Sequence, residues 1–155
     1  MKMNTKGNDY YETPMLLYQQ LDRIFKFNLD VACNEHNAKC NNAITEKKDA
    51  LSQDWCGRCF CNPPFSKKSE FIKKAHGEVL SGNCPICVMI LPLNSMDTQA
   101  WHEYIEGKFH YEILQGRVSF INPETGKPQS GNNSGTVIVY FKQKIQVKGI
   151  INNAN

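Results

Sequence analysis

The chain has 155 residues, 41% of them hydrophobic and 21% charged, with a formal net charge of +3 and a pI near 8.4. That size suits one globular domain, no stretch reaches the roughly 18 apolar residues of a membrane span, and the mild positive charge falls short of the strongly basic footprint of a dedicated nucleic-acid binder. The polar opening from Met1 to Gly7 lacks the apolar core of an export signal. Seven cysteines, an odd number, then point to reduced thiols in a cytoplasmic protein rather than a disulfide framework. Residues 1–8 read as a flexible leader, 9–142 as a single domain and 143–155 as a polar tail.

Thr13 as N-cap and Pro14 at the first helical position signal a helix with apolar residues at Leu17, Leu21, Ile24 and Phe25. The aromatic pair Tyr10 and Tyr11, with Glu12 beside a helix start, suits a zwitterionic ligand as well as a plain cap. In residues 27–33, Phe27, Leu29 and Val31 alternate as a strand does, and Asp30 stands near its carboxyl end, where ligands of open α/β sheets bind. No glycine-rich phosphate loop follows, which counts against a dinucleotide or a nucleoside triphosphate. A short strand is expected at 43–45, and Asp49 is a further acid available to a ligand.

The run Arg58-Cys59-Phe60-Cys61 predicts a strand, and Asn62-Pro63-Pro64-Phe65 follows it directly. An amide delivered to the end of a sheet and a backbone carbonyl freed by the Pro-Pro bend can both accept hydrogen bonds from an exocyclic NH2, while an aromatic ring nearby can stack on the base that carries it. In isolation the same four residues would be a plain turn. An amphipathic helix is expected next, capped by Ser66 or Ser69, with Phe71, Ile72, Ala75 and Val79 inward and Lys67, Lys68, Lys73 and Lys74 outward.

Residues 85–92 form a continuous apolar run typical of a strand buried on both faces. Asp97 is expected to cap a short helix holding Trp101, Tyr104 and Ile105. Strands are expected at 109–114 and 117–121 around Gln115-Gly116, then, after a Gly/Asn/Ser/Pro-rich segment, at 136–141. Cys56-x-x-Cys59 and Cys84-x-x-Cys87 have the bare spacing of a four-cysteine zinc site. Because Cys59 and Cys61 alternate in a strand and Cys87 opens an apolar run, the expectation is small buried residues on neighbouring strands, with no metal.

Together these motifs resemble the S-adenosylmethionine-dependent DNA adenine-N6 methyltransferases, most closely the short phage and prophage group often called the phage Dam-like family, over residues 9–141. Tyr11-Glu12-Thr13-Pro14 is similar to the amino-terminal cofactor motif, Leu29-Asp30-Val31-Ala32-Cys33 to the first cofactor strand, Asp49-Ala50-Leu51 to the acidic motif near the cofactor adenine, and Asn62-Pro63-Pro64-Phe65 to the catalytic [DNS]-P-P-[YFW] signature. The resemblance implies a Rossmann-like α/β sheet, mostly parallel with an antiparallel C-terminal hairpin, and S-adenosyl-L-methionine as cofactor. It places cofactor contacts at Tyr11, Thr13, Pro14, Asp30, Ala32, Cys33, Asp49 and Asn62. Asn62, Pro63, Pro64 and Phe65 would hold a flipped adenine for direct methyl transfer, without a metal or a covalent enzyme intermediate. Lys67, Lys68 and Arg117 are the expected DNA-backbone contacts, and Asn132 and Asn133 the expected base-edge contacts. Two features depart from the family pattern: Gly-x-Gly is missing after the first strand, and no acid closes a clear second strand, which leaves Glu35 or Asp49 for the ribose. Two other readings stay open, a methyltransferase acting on a glutamine of a protein, which shares an NPP-aromatic turn, and a cysteine-bound zinc module that binds nucleic acid.

Overall fold

A computed structural model describes residues 7–129 and 134–143; the leader's residues 1–6, Asn132, Asn133 and the tail from 144 lie outside them. Six strands, β1 Leu29–Cys33, β2 Ala43–Thr45, β3 Arg58–Cys61, β4 Ile86–Pro92, β5 His110–Ile113 and β6 Thr136–Lys142, make one sheet in the order β2-β1-β3-β4-β6-β5. The β2, β1, β3 and β4 pairings are parallel, and β6 lies antiparallel between β4 and β5. This is the mostly parallel Rossmann-like α/β arrangement. Among the described residues no helix is long and apolar enough to cross a membrane.

Alternation along β4 explains the layers. Cys87, Met89 and Leu91 face helices α2 (Lys68–Ser81) and α3 (Gln99–Tyr104), packing with Ile72, Ala75, Val79 and Trp101, whereas Ile86, Val88 and Ile90 join Tyr18 and Leu21 of helix α1 (Met15–Phe25). A strand covered on both faces has no solvent side, hence its unbroken apolar run. Four of the cysteines are part of this core: Cys59 and Cys87 are paired in register on adjacent strands, Cys84 Sγ lies 3.5 Å from Cys59 Sγ, and Cys61 is fully buried. Among the described residues no cluster of side chains is set to hold a metal.

Several expectations are corrected. Helix α1 begins at Met15, with Pro14 as its N-cap and no side-chain cap bond, so Thr13 does not cap it. Its buried pair is Tyr18 and Leu21, with Leu17 and Phe25 packed beside them as expected, while Ile24 is 72% exposed and lies off this face. Helix α2 is not capped by Ser66 or Ser69: Lys67 is its N-cap without a side-chain bond, and Ser66 is engaged elsewhere. Thr98, not Asp97, caps α3, its Oγ1 accepting from the Trp101 N–H at 3.2 Å. The late hairpin is formed differently too. The last ladder bond of β5 runs from Leu114 N–H to the Thr136 carbonyl at 2.9 Å, Gly116 then turns at φ 79°, and residues 117–121 leave the sheet without forming a strand. Ile121 instead makes isolated bridges to Glu12 and Pro128.

Candidate active site

The chain runs from β1 to β2 on one side and then crosses to β3 on the other, so the sheet's direction of winding reverses between β1 and β3. The carboxyl ends at such a switch point leave a crevice. Here it is a cavity of about 280 Å³. Its walls are the segment Asp9–Thr13, the end of β1 from Asp30 to Cys33, residues following β2, and Asn62 with Pro64 beyond β3.

Asp30 is 2% exposed, yet both carboxylate oxygens are occupied: Oδ1 accepts from Ala32 N–H at 3.1 Å and Oδ2 from Lys39 N–H at 2.9 Å. Burial raises its pKa, opposed by these two backbone donors. The missing glycines after β1 are accounted for locally. Asn34 Oδ1 accepts from the His36 and Asn37 N–H groups, and Asn37 Oδ1 accepts from Asn34 N–H at 2.7 Å, so side-chain amides shape the loop that glycine would otherwise allow. Cys33 lines the cavity as well, and desolvation, with the nearby Asp30 charge, pushes its thiol up to about 12, which keeps it protonated and a poor nucleophile at neutral pH.

Thr13 is 1% exposed, and its Oγ1 has no hydrogen-bond partner among the described residues. A buried hydroxyl left unpaired costs about 1–3 kcal/mol, and this one belongs to a wall of the cavity. Asp49 stands in the left-handed region at φ 54°, its Oδ1 accepting from Leu51 N–H, and lines the same cavity with Ala50 and Leu51. Glu35 does not: it is paired with Lys47 at 2.8 Å on the surface. The acid that closes β2 is Glu46, directly after Thr45 and in the cavity wall. A three-residue strand with an irregular register gave too little pattern for that acid to stand out. Pro14 is not in the wall.

At the carboxyl end of β3, Asn62 Nδ2–H donates to the Tyr11 carbonyl at 3.2 Å. That leaves Oδ1 as the free, accepting face of the amide among the described residues. The Pro64 carbonyl is used by Lys67 N–H at 3.0 Å, whereas no described group donates to the Pro63 carbonyl. Asn62 also borders a second, much smaller crevice of about 20 Å³ on its other side, formed with Pro63, Phe65, Ile90, Leu91, Pro92, Phe120, Gly135 and Thr136. Gly135 lies close to two side-chain ends there, since a Cβ would stand 2.5 Å from Leu93 Cδ1 and 2.8 Å from Arg117 Nη1, both of which would have to move. Arg117 is thus beside this crevice. Lys67 is exposed at the cavity rim, and Lys68 is tied to Asn94 Oδ1 at 2.9 Å, with desolvation lowering its pKa.

A winding reversal, a cavity at its carboxyl ends and an amide turn beside that cavity define the class as a Rossmann-like α/β protein with a ligand site at its switch point. Comparison with known proteins specifies it. The family model described as DNA N-6-adenine-methyltransferase (Dam) matches residues 1–155. A DNA N-6-adenine-methyltransferase of Haemophilus phage HP1 (strain HP1c1) is 33% identical over 150 residues, spanning 92% of this chain and 85% of that protein. One of Escherichia phage T1 is 30% identical over 155 residues, spanning 87% of this chain and 63% of that protein. The chain belongs to the DNA N-6-adenine-methyltransferase (Dam) family.

Proposed function

We propose that this protein transfers the methyl group of S-adenosylmethionine to the N6 amino group of adenine in DNA, with Asn62-Pro63-Pro64-Phe65 as the reacting turn. The observation that carries this reading is the pair of carbonyl acceptors, Asn62 Oδ1 and the Pro63 oxygen, at a turn between a polar cavity and an apolar crevice.

The cavity's donor set fits the cofactor. Thr13 offers an unpaired buried hydroxyl for a polar group of the methionine end, Glu46 an acceptor for a ribose diol at the end of β2, and Asp49 with Ile44, Ala50 and Leu51 a mixed polar and apolar wall for a purine. Asp30 acts through the loop it holds, and Tyr11, Ala32 and Cys33 complete the wall. When bound, S-adenosylmethionine supplies an electrophilic methyl on a sulfonium.

The chain's own work is orientation. The two carbonyls accept the two N–H groups of the target amine, which directs the nitrogen lone pair out of the plane of the base and toward the cavity. Phe65 stacks on the extruded base, Pro64 holds the bend, and Lys67, Lys68 and Arg117 meet phosphates. Asn132 and Asn133, outside the described residues, keep the proposed base-edge role. The turn offers no group for a covalent intermediate, and the cavity's thiol is held protonated.

The test is to express the chain in a host without adenine methylation and assay genomic DNA for N6-methyladenine. It should appear with the wild type and fall sharply with Asn62→Ala, whose cofactor binding, measured by calorimetry, stays near wild type. Unmethylated DNA from a folded, cofactor-binding protein refutes the reading.

A further inference from the structure

Residues 9–13 do two things at once. They wall the cavity, and they touch the turn beyond β3 at two points: the Asp9 carboxylate accepts from Ser66 N–H at 2.9 Å and from Ser66 Oγ–H at 2.6 Å, and the Tyr11 carbonyl accepts from Asn62 Nδ2–H at 3.2 Å. On the far side the strap is anchored through Glu12, whose N–H and carbonyl both pair with Ile121 at 2.9 Å. The bonds from Asp9 span 57 residues of sequence, so they belong to the tertiary fold and not to a local turn.

An amide's oxygen and nitrogen ends have nearly the same shape, and a half-turn of the Asn62 side chain would offer the target amine a donor where it needs an acceptor. A backbone carbonyl can only accept. Tyr11 therefore selects the nitrogen end of Asn62 for itself and leaves the oxygen outward, provided that the strap stays against the turn. The short, charge-assisted pair on Ser66 fastens the strap two residues away from that carbonyl.

We propose that Asp9 is a positioning residue for the target amine: its two bonds to Ser66 hold the Tyr11 carbonyl against Asn62 and so fix the oxygen of that amide toward the substrate. The proposal rests on the reading of Asn62 as the acceptor given above. It makes the strap common to both ligands, because whatever fills the cavity lies against the same five residues that set the amide.

A purely structural role is the alternative, since Asp9 also occupies the Ser66 N–H at the start of the turn that leads into α2. The experiment measures single-turnover methylation of an adenine-containing duplex at saturating S-adenosylmethionine, together with thermal unfolding, for the full chain carrying Asp9→Asn, Ser66→Ala, both, or Ser66→Thr. The rate should fall by about tenfold or more in each of the first two variants, as misplacement of a reacting group does. The double variant should be no slower than the worse single, and Ser66→Thr, which keeps the hydroxyl, should restore most of the rate. Rates within twofold of wild type, or losses no larger than the unfolded fraction explains, overturn the latch while leaving the proposed activity standing. A wild-type chain that binds cofactor and methylates no adenine duplex sinks both.

Discussion

The two spaces that Asn62 borders differ sharply in size and lining. On one side lies a cavity of about 280 Å³ whose wall mixes acids and amides with apolar residues such as Val31, Ile44, Leu51 and Phe60; on the other a crevice of about 20 Å³ walled mainly by prolines, aliphatic residues and two phenylalanines. The smaller space holds roughly one or two waters. In the proposed reaction the cofactor therefore enters a site already built, while the base must open the smaller crevice between Phe65 and Phe120 as it enters. The asymmetry has a physical origin. The cavity lies at a winding reversal, with Asp30 clamping its loop, whereas the crevice is bounded by the Pro63 and Phe65 side of the turn, the end of β4 and Phe120.

Substitutions should separate the sides in order of size. Asn62→Ala removes an acceptor made only to the reacting group, so methylation should fall about 10²–10³-fold, comparable with the loss of one preorganised hydrogen-bond donor at an oxyanion hole. Equal losses in cofactor binding and in methylation would show the two sides to be one. Phe65→Ala should cost about 1–3 kcal/mol in the duplex-dependent step, read as kcat/KM for DNA, and leave cofactor affinity alone. Thr13→Val acts on the opposite side. It should weaken cofactor binding by about 1 kcal/mol in calorimetry and raise the melting temperature of the ligand-free protein, because an orphaned hydroxyl is removed at nearly constant shape.

The smallest effect concerns pH. Burial lifts the Asp30 carboxyl above its ordinary range, so in the ligand-free protein its contribution to stability is present below the unfolded value, near 4, and is lost as pH rises through the folded one. The melting temperature of wild type relative to Asp30→Asn should drop across that interval. Glu78, held low by Lys74 and by the Trp55 and Asn83 donors despite its burial, has the opposite slope and is common to both proteins, so the difference isolates Asp30.

How much of this was legible in the chain depended on whether the signal was local. The strand ending at Cys61 and the turn after it could be read from four residues, and β4 from its continuous apolar run, because burial on both faces leaves no other pattern. The cap at Thr13 was misleading for the same reason: Thr before Pro is a local signal, but Pro14 is the N-cap, the Thr13 hydroxyl is buried without a described partner, and the adjoining Glu12 is paired to the distant Ile121, which no local pattern contains. Residues 117–121 alternate as a strand would, yet Gly116 directs them off the sheet. Glu46 and the Asp9–Ser66 pair were invisible, one behind a three-residue strand and the other across 57 positions. The part of the site made by a single segment was readable, and the part made by approach of distant segments was not.

The central claim is that Asn62 presents an acceptor to an adenine amine, and sequencing of N6-methyladenine in DNA from a host that lacks adenine methylation tests it most directly. Wild-type protein should mark adenines, and Asn62→Ala, folded and still binding S-adenosylmethionine, should mark about 10²–10³-fold more slowly. Methylation that persists undiminished in Asn62→Ala would contradict the account.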